Sequence, residues 1–235
     1  MSDVQHTPAT EVRSLRNTER LTGALMLAYM VAVAAQIAAR TASTSSNQSF
    51  AESVVTLVLN HELYVLSMSA GLVSSILLLV VAAGIYSIFR TCHLFLALAT
   101  SFLFLAAASS WLASAASGLT LASLAQEFVY LSSLQAEATA SSVRAIELVR
   151  ESTGRIGFTL AGLGTLSLGV IIVWKDALPK WIGWLGMVAG ILMLFIWYDS
   201  AAVLHRVGGT GYLLWLLITG GWLLLWGSHA TSESS

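Results

Sequence analysis

The sequence predicts an all-α fold: a polytopic membrane protein, a six-transmembrane-helix bundle with an extra amphipathic helical segment between spans three and four. Two observations carry that prediction. Six apolar runs, at about residues 21–39, 63–88, 94–112, 156–174, 181–198 and 212–227, have no Lys, Arg, Asp or Glu in their interiors. A bilayer core takes about 20 apolar helical residues to cross, and only helices or closed barrels satisfy their backbone hydrogen bonds there. The composition agrees: 57% of the 235 residues are hydrophobic and 10% are charged. Soluble domains carry about 25% charged residues, so the deficit is what lipid-facing surface requires.

The elements follow in order. Residues 1–20 form a polar tail of mixed charge, with Asp3, Glu11, Arg13, Arg16, Glu19 and Arg20. The apolar run behind it is longer than the 7–15 residues of a signal-peptide core, so it is expected to stay as span one. Residues 41–49 are polar and low in complexity, and 50–60 are consistent with a short interfacial helix. Between spans three and four lies the long break 118–154. Its first part, 121–138, is half apolar. In its second part Arg144 and Glu147 are spaced i, i+3 and Glu151 and Arg155 i, i+4, the helical spacing for ion pairs. Span four is therefore expected to begin as a helix near Ser142, before it reaches the membrane. Both prolines, Pro8 and Pro179, fall outside the spans, so no span carries the proline signal of a discontinuous transporter helix. Residues 21–227 form one membrane domain, and 228–235 a short tail.

Orientation follows from the Lys/Arg distribution beside the spans. With the N-terminus inside, the inner side receives Arg13, Arg16, Arg20, Arg90, Lys175 and Lys180. The outer side receives Arg40, Arg144, Arg150, Arg155 and Arg206, where acids outnumber them. Both termini are expected in the cytoplasm and the protein in the plasma (bacterial inner) membrane. Trp174, Trp181 and Trp184 bracket the Lys175–Lys180 turn, Trp197 and Tyr198 end span five, and Trp222 and Trp226 close span six. Such rings anchor at the two interfaces.

Small residues predict which spans touch. Gly157, Ala161, Thr165 and Gly169 recur every four residues in span four, and Gly183, Gly186 and Gly190 line one side of span five. Small residues let membrane helices approach closely, so spans four and five are expected to be neighbours. A homodimer face is the alternative. The stretch from Gly157 to Trp197, a glycine-rich helix, a short basic turn and then LPKWIGWLGMVAG, resembles the bacterial six-helix membrane family catalogued as domain of unknown function 4386. Pro179, Trp181, Gly183, Leu185 and Gly186 match that family's turn and following helix. The resemblance implies architecture and no catalytic residues.

Candidate chemistry is sparse. The net charge of −1 excludes a nucleic-acid partner, which needs a clustered basic face. The single cysteine, Cys92, excludes an internal disulfide and a multi-cysteine metal site. His61, Glu62, Asp199 and His205 have the residue types of a weak metal site, and His61 with His205 is the one same-side pair for haem, but no HExxH or CxxC spacing supports either. Lys175 and Lys180 both lie in a turn, which excludes a buried retinal lysine. No cofactor is predicted and no residue is assigned as catalytic. The expected partners are the lipid bilayer and another membrane protein or a second copy. The expected role is a non-catalytic accessory or scaffold subunit. A small-molecule or lipid-binding protein or transporter is the second reading, with serines 67, 69, 74, 75, 109, 110 and 114 lining a pocket. A membrane metal or haem protein is the third.

Overall fold

A helix ends where a residue refuses helical backbone, not where hydrophobicity stops, and this rule sets the element lengths here. The computed structural model describes residues 8–43, 56–128 and 133–227; the side chains of 8–13, 128, 133–140, 199 and 202 lie outside the description. So do the tails 1–7 and 228–235, and most of the expected polar loop and interfacial helix, residues 44–55. Among the described residues there are six long helices and no strand: α1 Pro8–Ser43, α2 His61–Phe89, α3 Leu94–Phe128, α4 Ser133–Lys175, α5 Lys180–Met193 and α6 Ala202–Leu225. Six stretches, one in each helix with that of α5 running on to Trp197, are long and apolar enough to cross a membrane.

Helix α5 sets the scale. Its 14 residues continue into a four-residue 3-10 turn, Leu194–Trp197. At about 1.5 and 2.0 Å per residue they make about 29 Å, one hydrocarbon thickness. Helices α1, α3 and α4, with 36, 35 and 43 residues, run to about 50–65 Å. They contain far more helix than a bilayer needs. The extra amphipathic segment is the N-terminal half of α4, continuous with span four and starting at Ser133. Likewise α3 runs 16 residues past the apolar run that ends at 112, because Ala, Leu, Gln and Glu are strong helix formers. The hydroxyls of Ser117, Thr120 and Ser123 donate to the carbonyl one turn back and do not break it. Helix α6 begins ten residues before the expected span, taking His205 and Arg206 into its first turn.

The turns are built from local chemistry. In the α2–α3 turn the amides of Cys92 and His93 both donate to Phe89 O, and His93 Nδ1 accepts from the Leu96 amide at 3.3 Å, capping α3. In the α4–α5 turn Asp176 takes φ 52°, a left-handed conformation that Asp tolerates better than most residues. Ala177 and Leu178 behind it are buried, and Lys180 Nζ holds the Asp176 carboxylate at 3.1 Å. Replacing Asp176 by Val, a β-branched residue, is expected to cost about 1–2 kcal/mol, while Asp176→Gly stays within about 0.5 kcal/mol of the parent because Gly takes this conformation freely. Thermal unfolding of the two variants in mild detergent checks this; equal midpoints would contradict it. At the other end of α5's partner, Gly227 at φ 79° stops α6.

The helices sort into two compact units. One holds Met1–Ala28, Leu77–Ala106 and Phe158–Ser235; the other holds Tyr29–Ile76 and Ala107–Gly157. In the first unit the buried core includes Met26, Leu78, Ile85, Phe89, Phe104, Leu168 and Ile182, with Trp215 fully enclosed. The Trp215 indole N–H donates to Ile182 O at 3.1 Å, which satisfies the polar atom of the largest buried side chain. Backbones meet directly at three glycine pairs, Gly23 with Gly220, Gly162 with Gly190, and Gly169 with Gly183. In the second unit Tyr64, Met68 and Ala122 form one buried cluster and Leu121, Ala125 and Val143 another. Gln36 sits over Gly71 and its carbonyl accepts from Ser67 Oγ at 2.9 Å.

Candidate functional site

A group of interacting charged side chains lies in the second unit, among α1, α2 and α4. Burial takes water from an ion, so a charge stays inside only if a partner replaces that water. Arg150 is buried, with its side chain 10% exposed, and its guanidinium binds Glu147 in a two-pronged pair through Nε and Nη2. The α4 helix supplies this geometry for nothing more than i, i+3 spacing. One turn on, Arg155 pairs with Glu151. The charge of Arg150 reaches Arg40 on α1 and Tyr64 on α2, and both glutamates act on Arg40 in turn. The backbone of this turn of α4 is fixed from α3. Ser114 Oγ donates to Arg150 O at 2.8 Å and Trp111 Nε1 to Gly154 O at 3.3 Å. Gly157 lies flat against the Trp111 ring.

Sequence spacing offers Arg144 as a helical neighbour for Glu147, but the carboxylate takes Arg150. Arg144 stays exposed while Arg150 faces inward, and the buried cation needs the acid more. The convergence of Arg40 and Tyr64 on the same place is tertiary, so spacing along one helix does not reveal it. The one signal is that Arg40 closes an apolar run.

Beside this cluster a shallow open groove runs between α3 and α4, lined by Ala116, Ser117, Thr120, Ala145, Ile146 and Val149. Leu148 and Val149 are more than half exposed.

The weak metal candidates fall as follows. His61 opens α2 in the second unit with Glu62 exposed beside it. His205 is half-buried on α6 in the first unit. The Nδ1 atoms of both histidines are enclosed without a hydrogen-bond partner. The Asp199 side chain lies outside the described residues. Among the described residues no three His, Cys, Asp or Glu side chains gather closely enough to hold a metal ion.

Of the serines considered for a pocket, Ser67, Ser74, Ser75 and Ser114 donate to backbone carbonyls, and the first three are buried. The small residues divide between neighbours. Gly157 faces α3, Ala161 and Thr165 are fully buried, and Gly169 meets Gly183 O across the α4–α5 contact. Gly190 lies against Gly162 and Gly186 against Trp215. Gly162, one residue off the four-residue stripe, is the α4 glycine that meets Gly190.

Within the first unit, the α2–α3 and α4–α5 turns are joined by aromatic contact. The rings of His93 and Trp174 stack at 5.8 Å, and Lys175 Nζ lies 5.4 Å from the Trp174 centroid.

Six helices with the length and polarity of membrane spans, and no strand among the described residues, define a multi-pass integral membrane protein. The chain belongs to the family described as domain of unknown function (DUF4386), whose model matches residues 21–227. Comparison with curated proteins and with solved structures found no match.

Proposed function

We propose that this protein is a non-catalytic accessory or scaffold subunit of the bacterial inner membrane, with both termini in the cytoplasm. The observation that carries the proposal is the pairing of surplus helix on α3 and α4 with exposed apolar side chains of α4 at the groove between them. Leu148 and Val149 stand exposed beside the α3–α4 groove, while Glu147 with Arg150 and Glu151 with Arg155 form pairs within α4. A surface of that kind suits a protein partner whose apolar side chains fill the groove. The orientation is supported by where free cations lie. Among the described residues six exposed cations have no acidic partner, and four of them, Arg16, Arg20, Arg90 and Lys175, sit at the end expected inside, against Arg144 and Arg206 at the other.

A photo-crosslinking amino acid at position 149, introduced into the full chain in its native membrane, tests the role. One discrete protein adduct at 149, absent when the crosslinker replaces the exposed Val188 of α5, is the expected result. Lipid adducts alone at both positions would overturn it.

The second reading, a small-molecule or lipid-binding protein or transporter, draws on Ser101 and Thr219. Their hydroxyls are enclosed in the first unit without a hydrogen-bond partner, and a buried hydroxyl of that kind is satisfied by a water or a ligand.

A further inference from the structure

We propose that the α4–α5 turn, together with the α2–α3 turn, binds the headgroup of an anionic phospholipid. Both turns belong to the first unit, and the His93–Trp174 stack brings them together. Trp174 is 64% exposed, an arrangement that a ring in a protein core would not adopt but one at a lipid interface does. Trp181 and Trp184 are likewise exposed on the first turn of α5, and at the end of α6 the Trp222 and Trp226 rings lie 4.9 Å apart. These indoles mark the depth of the lipid headgroups, and the cations of the two turns sit among them.

The charge at this place is not balanced by the protein. Asp176 is engaged by Lys180. Lys175 has only its contact with the Trp174 ring, and Arg90, exposed on the α2–α3 turn, has no acidic partner among the described residues. Helix α1 carries two more exposed cations in the same unit, Arg16 and Arg20, and its buried Glu19 packs against Gly227 at the end of α6. The lysines cannot drift to another position, because Ala177 and Leu178 anchor the turn in the core. Two uncompensated cations held at headgroup depth, flanked by exposed indoles, complement a phosphate that carries acyl chains. The indoles have no use for a free phosphate ion, so lipid is the source.

The test is native mass spectrometry of the full chain in mild detergent, supplied with equal phosphatidylglycerol and phosphatidylethanolamine. The parent protein is expected to retain phosphatidylglycerol preferentially. Each cation contributes a factor of about five to that preference, so Arg90→Gln or Lys175→Gln lowers it about fivefold and the double variant by about the product. Lys175→Arg keeps the preference, since the charge remains. Arg206→Gln, which removes an exposed cation from the first turn of α6, leaves it unchanged. Both glutamine positions are exposed and outside any ion pair, so the unfolding midpoint should not move. An unchanged lipid ratio in the double variant would overturn the proposal. So would an equal fall in Arg206→Gln, which would mean diffuse attraction, or displacement of the lipid by millimolar inorganic phosphate.

Discussion

Gly190→Leu is expected to break the α4–α5 contact and lower stability by about 3 kcal/mol or more. A Cβ at position 190 would stand 2.5 Å from Gly162 O and 2.9 Å from Leu166 N. Both are backbone atoms of α4, so no rotamer change can relieve the clash and the helices must separate. Within the membrane that separation is not resisted by a hydrophobic effect between helices; packing is what holds them. Gly162→Leu should act alike, because the approach is mutual. Gly221 is the contrast. Nothing lies within 4 Å of its Cβ position, so Gly221→Ala should be neutral or stabilise by about 0.5–1 kcal/mol through helix propensity. Unfolding of the three variants followed by tryptophan fluorescence in mild detergent decides the matter; a Gly190→Leu midpoint equal to the parent's would refute the close approach.

Glu147→Gln is expected to be the costliest single change in the second unit's charged cluster. It leaves the buried Arg150 guanidinium without its counter-charge and within the field of Arg40. Breaking a fully buried pair costs about 3–5 kcal/mol. The Glu147 side chain is 40% exposed, so water screens part of the loss and about 1–3 kcal/mol is expected. Arg150→Met should cost less, since the surviving carboxylate is half-solvated and still has Arg40 nearby. The double change Glu147→Leu with Arg150→Met should be milder than Glu147→Gln, because it leaves no stranded ion. Denaturation of all three variants measures the order. If Glu147→Gln were the mildest, the pair would not be what fixes this turn of α4.

The spans were legible in the sequence because apolar runs without charge have one physical use. The helix lengths were not. Residues 113–128 and 133–155 are polar enough to leave the membrane, yet they contain nothing that refuses helix, so α3 and α4 continue through them. The glycines predicted that close approaches occur, but not how they divide. Gly157 meets the Trp111 indole and Gly162 meets Gly190, and the choice depends on which helix lies on which side. The Arg40–Tyr64–Arg150 cluster unites three helices separated by long stretches of chain, and no local pattern records such a meeting. The Lys175–Lys180 turn was the most legible part of either site. Its basic residues, its proline and its tryptophans are all local features, and only the stack on His93 needed the fold.

The most direct test of the account is single-cysteine labelling in a Cys92→Ser background, with a membrane-impermeant maleimide applied to intact cells. Ser123→Cys lies on the exposed face of α3 beyond its apolar run, and Lys180→Cys lies at the start of α5. Position 123 is expected to be labelled in intact cells and position 180 only after the inner membrane is opened. Labelling of both positions from the same side, or with the sides exchanged, would contradict it.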